Sequence, residues 1–145
     1  VIDLGCGPGF FSIDMAKLAG KEGKVIAVDL QQEMLSMVEK KADRHGVMDR
    51  MEFHKCGSDS VGLTAKADFI LAYYMIHETP DQKAFLTEIK GLLKKNGNLL
   101  AVEPGMHVSR KQFDAMLKDA EEAGLKAVEF PKGKGGKSVL FTVMN

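Results

Sequence analysis

Polar and apolar positions change their period along the chain, and each change marks an element. Val1-Ile2-Asp3-Leu4 is a short, mostly apolar strand that enters the glycine-rich turn Gly5-Cys6-Gly7-Pro8-Gly9. Phe10, Phe11, Ile13, Met15, Ala16, Leu18 and Ala19 then give a helix a broad apolar surface, and Gly20 to Lys24 stop it. Val25 to Val28 is apolar without alternation, as expected of a parallel strand covered on both faces, and it ends at Asp29. Met34, Leu35, Val38 and Ala42 share one face of a second helix over Glu33 to His45, closed by Gly46. Met51 to His54 reads as a third strand.

Ala67 to Tyr74 forms a fourth strand, whose alternation places Tyr73 and Tyr74 on opposite faces. After Pro80-Asp81, Phe85, Leu86, Ile89, Leu92 and Leu93 fall at helical spacing, with Asn96-Gly97 as the stop. Asn98 to Val102 is a fifth strand. Ser109 to Gln112 has the capping-box form and opens a helix through Phe113, Met116, Leu117 and Ala120, ended by Gly124. Two last strands, Lys126 to Phe130 and Ser138 to Met144, flank a Lys/Gly loop and are expected to be antiparallel neighbours. Alternating strands and helices predict an α/β fold, a doubly wound Rossmann-like three-layer sandwich with its ligand beyond the carboxyl ends of the strands. The glycine turn and Asp29 both lie at that edge.

A length of 145 residues and 45% hydrophobic content suit a single domain over residues 1–145. Twenty basic residues balance twenty acidic ones, so no basic footprint for nucleic acid exists and a small-molecule partner is expected. No apolar run approaches the roughly 20 residues of a membrane span. Cys6 and Cys56 fit neither a disulfide framework nor a paired-cysteine zinc site, and His45, His54 and His107 show no zinc-ligand spacing with them. A cytoplasmic protein without a metal is the expectation, its oligomeric state left open. Val1 already lies within the first strand, so the sequence is also expected to be truncated at its N-terminus.

Alternate glycines let the backbone fold back tightly and bring its N–H groups close to a ligand, which points to an adenosine-type cofactor. The spacing is G-x-G-x-G. The dinucleotide fingerprint would place its third glycine where Phe10 stands. Asp29 ends the second strand about 20 residues on, where a carboxylate accepts hydrogen bonds from the two hydroxyls of a ribose. The plainer alternative is a turn that needs glycine anyway and an aspartate that caps the next helix. His77, beyond the fourth strand, is either a general base or a residue that orders its own loop with Glu78. Glu103 falls at the expected pocket rim, and Lys132, Lys134 and Lys137 form either a solvated loop or a phosphate contact.

Asp3-Leu4-Gly5-Cys6-Gly7-Pro8-Gly9 followed by Val25 to Asp29 resembles the first two motifs of class I S-adenosylmethionine-dependent methyltransferases of small-molecule type. Asp68 to His77 is similar to that family's fourth strand and following loop, and Leu92 to Leu100 to its next helix-to-strand step. The resemblance implies a seven-stranded sheet in the order 3-2-1-4-5-7-6 with the last strand antiparallel. It implies S-adenosylmethionine as methyl donor, S-adenosylhomocysteine as product and a small-molecule acceptor. By position, Asp3, Gly5, Cys6, Gly7 and Gly9 would surround the methionine portion, and Asp29 and Leu30 the ribose and adenine edge. The family's usual Gly-Asp after the third strand is here Cys56-Gly57-Ser58-Asp59, which leaves Ser58 or Asp59 for the adenine. A sulfonium favours carbonyl oxygens and aromatic faces, which makes Tyr73 a cofactor neighbour and Tyr74, with His77, the catalytic candidate; one tyrosine as ordinary core is the alternative. An NAD-dependent oxidoreductase and a noncatalytic cofactor-binding module are the rival functions.

Overall fold

Burial along the central strands sorts side chains onto two faces of a sheet. In β1 (Ile2–Leu4) and β2 (Val25–Asp29) every residue is buried. Ile2, Leu4, Ile26 and Val28 join the larger apolar cluster, whereas Val25 and Ala27 join a smaller one on the other face. Ile13 and Ala16 of α1 (Ser12–Leu18) and Leu35 and Val38 of α2 (Gln32–Arg44) complete the smaller cluster. Leu86 and Ile89 of α3 (Gln82–Leu92) and Phe113 and Met116 of α4 (Arg110–Glu122) complete the larger.

The remaining strands are β3 (Met51–Lys55), β4 (Ala67–Tyr73), β5 (Leu93–Pro104), β6 (Leu125–Glu129) and β7 (Gly136–Val143). This computed structural model describes residues 1–144, and its seven strands lie in the order β3-β2-β1-β4-β5-β7-β6. Strands β1 to β5 pair in parallel, and β7 runs antiparallel to both β5 and β6. The predicted order, the reversed last strand and the late antiparallel pair are all present. The capping box is present too: Gln112 N–H donates to Ser109 Oγ at 3.2 Å and Ser109 N–H to Gln112 Oε1 at 2.8 Å.

Four local expectations are corrected. Helix α1 starts only at Ser12, because Gly9 at φ 84° prolongs the turn and leaves Phe10 74% exposed outside the helix. Strict strand–helix alternation fails between β3 and β4, where residues 56–66 form neither helix nor strand. Helix α3 ends at Leu92, and Leu93 pairs with Ala67 instead of continuing the helical face. Finally, Tyr74 adopts φ 58° and leaves the strand, so its ring lies 4.1 Å from that of Tyr73, on the same side.

The early start of β5 requires an irregular ladder. Ala67 faces Leu93 but Phe69 faces Asn98, so residues 94–97 bulge past a single β4 residue. Gly97 sits in that bulge, and a Cβ there would meet the Ala67 carbonyl oxygen at 2.9 Å and the Lys94 nitrogen at 3.1 Å. Gly97→Ala is therefore expected to lower the unfolding free energy by about 1–3 kcal/mol in urea titration, through backbone that has no room to yield.

Asp3 is the one acid inside β1, buried beneath α1, where Ser12 Oγ donates to its carboxylate at 2.5 Å. Burial pushes its pKa from 3.8 up to about 6, opposed by the Ser12 hydrogen bond and aided by the nearby Asp29 charge. Between those values the folded chain binds more protons than the unfolded chain, so this residue makes stability fall as pH rises from about 4 to about 6. The full penalty, on the order of 3 kcal/mol, holds above pH 6. Asp3→Asn keeps an acceptor for Ser12 and removes the charge. The variant should gain on the wild type as pH rises from 4 to 6, followed by denaturant midpoints across that range.

Candidate functional site

The carboxyl ends of β1, β2 and β4 surround a cleft of about 410 Å³, within the range of small-ligand pockets. Its floor begins at the glycine turn. Gly5 takes φ 64°, and a Cβ on it would press into Met75 Cβ at 3.1 Å, so the chain passes Met75 only because no side chain intervenes. Cys6 N–H donates to the Val28 carbonyl at 2.9 Å, which carries the β1–β2 pairing into the turn. Gly7 N–H then donates to Asp29 Oδ2 at 2.9 Å, and Gln31 N–H to Asp29 Oδ1 at 2.9 Å.

These two amides fix the carboxylate. Each Asp29 oxygen spends one acceptor position on the backbone and keeps another, and the residue, 8% exposed, lines the cleft. The two remaining acceptor positions suit adjacent hydroxyls such as a ribose diol. On the Asp29 side, Ser58 and the loop after β3 close the cleft, and across β1 from them Tyr73 at the end of β4, with Tyr74 and Met75, closes the other side. Phe11, outside the lining, packs on Tyr73 with ring centroids 4.7 Å apart and backs this aromatic wall. The Tyr73 phenol is held above its ordinary pKa, first by hydrogen bonding with Tyr74 and then by burial, so it stays protonated at neutral pH. An aromatic face beside a carboxylate is a suitable lining for a cationic ligand carrying a diol.

Of the residues expected from sequence, Gly5, Asp29, Leu30, Ser58, Tyr73 and Tyr74 line the cleft. Asp3, Cys6, Gly7, Gly9 and Asp59 do not. Asp3 is turned to Ser12, and Cys6 is buried with its thiol pushed up to about 12, chiefly by that burial. Gly9 packs on Val38, and Gly7 acts through its N–H on Asp29. Between the two candidates for the adenine side, the structure brings Ser58 to the cleft. Cys56, Val61, Glu78 and Thr79 also line it and were not singled out as ligand contacts. Their only signal was position, in the segments that follow β3 and β4 at the carboxyl edge.

His77 lies in a short 3-10 turn, Ile76–Glu78, beside the cleft and not in its lining. Its partner is not chiefly Glu78, whose Oε1 is 3.9 Å from Nε2, but Glu103 at the end of β5, whose Oε2 is 2.5 Å from Nδ1. Glu103 is only 1% exposed and also accepts from Ile76 N–H at 3.1 Å. Burial raises its pKa, against the pull of His77. Glu103 is thus an internal acid and not a rim residue, and with His77 and Gln112 it borders a separate cavity of about 170 Å³. Of the lysines, Lys137 donates to the Val108 carbonyl at 2.7 Å, while Lys132 and Lys134 are exposed. Among the described residues no three His, Cys, Asp or Glu side chains converge as metal ligands, and no helix is long and apolar enough to cross a membrane.

Comparison with known proteins agrees with this geometry. The chain is 26% identical over 123 residues to the demethylmenaquinone methyltransferase of Lactococcus lactis, covering 82% of this chain and 48% of that one. It is 27% identical over 119 residues to the ubiquinone/menaquinone biosynthesis C-methyltransferase UbiE of Escherichia coli, covering 79% and 47%. The chain therefore spans about half the length of these curated relatives. Among solved structures, a SAM-dependent methyltransferase from Aquifex aeolicus superposes with a TM-score of 0.85 at 25% identity, covering 99% of this chain and 81% of that one. The profile of the methyltransferase-domain family matches residues 1–138, and with nearly its whole length accounted for, this chain belongs to that family.

Proposed function

We propose that the protein transfers a methyl group from S-adenosylmethionine to a small-molecule acceptor, releasing S-adenosylhomocysteine. The observation that carries this reading is the Asp29 carboxylate, oriented by the Gly7 and Gln31 amides so that its remaining acceptor positions serve a ribose at the cleft. Leu30 and Ser58 then border the adenine side, and Gly5 and Tyr73 the methionine side. Asp3, Cys6, Gly7 and Gly9 support these contacts from behind the cleft wall.

The cofactor supplies an activated methyl on a cationic sulfur, so the chain's task is alignment and exclusion of water. The Phe11–Tyr73–Tyr74 wall favours a flat acceptor, and the L. lactis relative is named for one such compound, demethylmenaquinone. Tyr74 donates its hydroxyl to the Gly135 carbonyl at 2.7 Å, which suits it to shape the acceptor wall. With Glu103 ionised, His77 Nδ1 carries the shared proton and Nε2 is left as the basic atom on the side of Glu78, a cleft-lining residue. That arrangement supports His77 as the base that removes a proton from the acceptor. The balanced charge favours a small molecule over nucleic acid as partner, and two unpaired cysteines favour a cytoplasmic setting.

Titration calorimetry should show S-adenosylhomocysteine binding and no response to NADH. The reverse result would replace the assignment with a nicotinamide-dependent oxidoreductase, and binding without methyl transfer to any acceptor in a broad panel would indicate a noncatalytic module. Asp29→Asn and Asp29→Ala should weaken S-adenosylhomocysteine about 10- to 100-fold with the circular dichroism spectrum unchanged, the loss of charge-assisted hydrogen bonds. His77→Ala is expected to retain that binding and to lose at least tenfold in turnover, measured as methylated product by mass spectrometry; undiminished turnover would return His77 to a loop-ordering role.

A further inference from the structure

We propose that Glu88, on α3 and outside the cleft, is the positioning residue for the cofactor-facing loop between β3 and β4. The inference rests on the reading of the cleft as an S-adenosylmethionine site. Residues 56–66 have no helix or strand of their own, yet Cys56, Gly57, Ser58, Ser60 and Val61 make up one whole wall of the cleft. A wall of this kind binds well only if its conformation is set before the ligand arrives.

One carboxylate sets it. Glu88 Oε1 accepts from Ser60 Oγ at 3.0 Å and from Gly62 N–H at 2.9 Å, and Oε2 accepts from Val61 N–H at 3.1 Å. Three successive residues thus converge on a single side chain delivered by a helix whose own position is fixed by buried Phe85, Leu86 and Ile89. The other flank is held by His54 of β3, whose Nε2 lies 2.7 Å from the Val61 carbonyl oxygen. Gly62 takes φ 69°, a left-handed turn that aims consecutive amides at one acceptor. Within the loop, Gly57 N–H donates to the Ser60 carbonyl at 3.0 Å, so fixing Ser60 also fixes the Gly57-Ser58 corner that faces the cleft.

Glu88 touches no cleft volume itself, since it is absent from the lining. Its contribution is to preorganise: the N–H groups of Val61 and Gly62 would otherwise be solvated, and the loop would sample conformations in which Ser58 and Cys56 leave the wall. A helix-surface glutamate with an incidental contact would not unite two backbone amides and a hydroxyl from three consecutive residues.

The test measures S-adenosylhomocysteine affinity and amide hydrogen exchange on the same chain. Glu88→Ala is expected to raise the Kd at least tenfold and to abolish ligand-free protection of the Val61 and Gly62 amides, with Glu88→Gln recovering part of both. Lys83→Ala, on the same helix as Glu88, breaks the ion pair with Glu122 of α4; it should leave the Kd unchanged and so separates positioning from general loss of stability. A Glu88→Ala variant that binds as tightly as the wild type, or whose two amides stay protected, overturns the proposal. Should that variant fail to fold, Glu88→Gln carries the decision, with a three- to tenfold weaker Kd expected and an unchanged Kd refuting. If the wild type itself shows no affinity for S-adenosylhomocysteine, the reading of the cleft fails, while the exchange of the two amides still judges the loop anchor on its own.

Discussion

Two backbone amides closing on one carboxylate set the geometry of this molecule's ligand edge. Gly7 and Gln31 belong to the turns after β1 and β2, and Asp29 ties those turns together more firmly than the strand ladder alone, which ends with Cys6 and Val28. The charged acceptor makes both bonds stronger than neutral ones would be. Everything else at the cleft is placed relative to that joint. The glycine turn has room to pass because Gly5 lacks a side chain against Met75, and the β3 end follows through Cys56 N–H, which donates to the Asp29 carbonyl at 3.1 Å.

Behind this joint the molecule buries two further acids, and their environments differ. Asp3 has a hydroxyl for a partner and a pKa pushed up to about 6. Glu103 has an imidazole and a backbone amide, so burial and pairing act on it in opposite senses. The first keeps its proton up to about pH 6, while it braces the start of α1 through Ser12. The second supports a charge shared with His77, at the end of the strand next to β4. Carboxylates on three strands of the sheet, β1, β2 and β5, thus do three separate jobs, set by what each can hydrogen-bond to.

Much of the architecture was legible because local period carries it. The unbroken apolar run Val25 to Val28 announced a strand covered on both sides, and Ser109 with Gln112 announced a helix start with its own hydrogen bonds. Where one residue satisfied two patterns, the local reading went astray. Leu93 continues the helical spacing of α3, but its partner Ala67 claims it for the sheet. Tyr74 continues the alternation of β4, but a left-handed backbone turns its ring back onto Tyr73. The site divided in the same way. Asp29 and Gly5 were visible from motif spacing, whereas the Glu103–His77 pair and the Glu88 contacts join residues far apart in sequence with no shared pattern to announce them.

The place of β1 in the sheet bears on how the chain reaches this state during synthesis. Ile2 lies between Ile26 and Ile70, so the three residues of β1 need partners from the chain's second and fourth strands. The β1–β2 pair can form early, but one side of β1 stays open until residues 70 to 72 have been made. Over that interval the nascent sheet presents an unpaired apolar edge, the kind of surface that chaperones hold and that aggregation exploits. A strand buried at every residue in the finished fold is, on the way there, the one that waits longest with a bare flank.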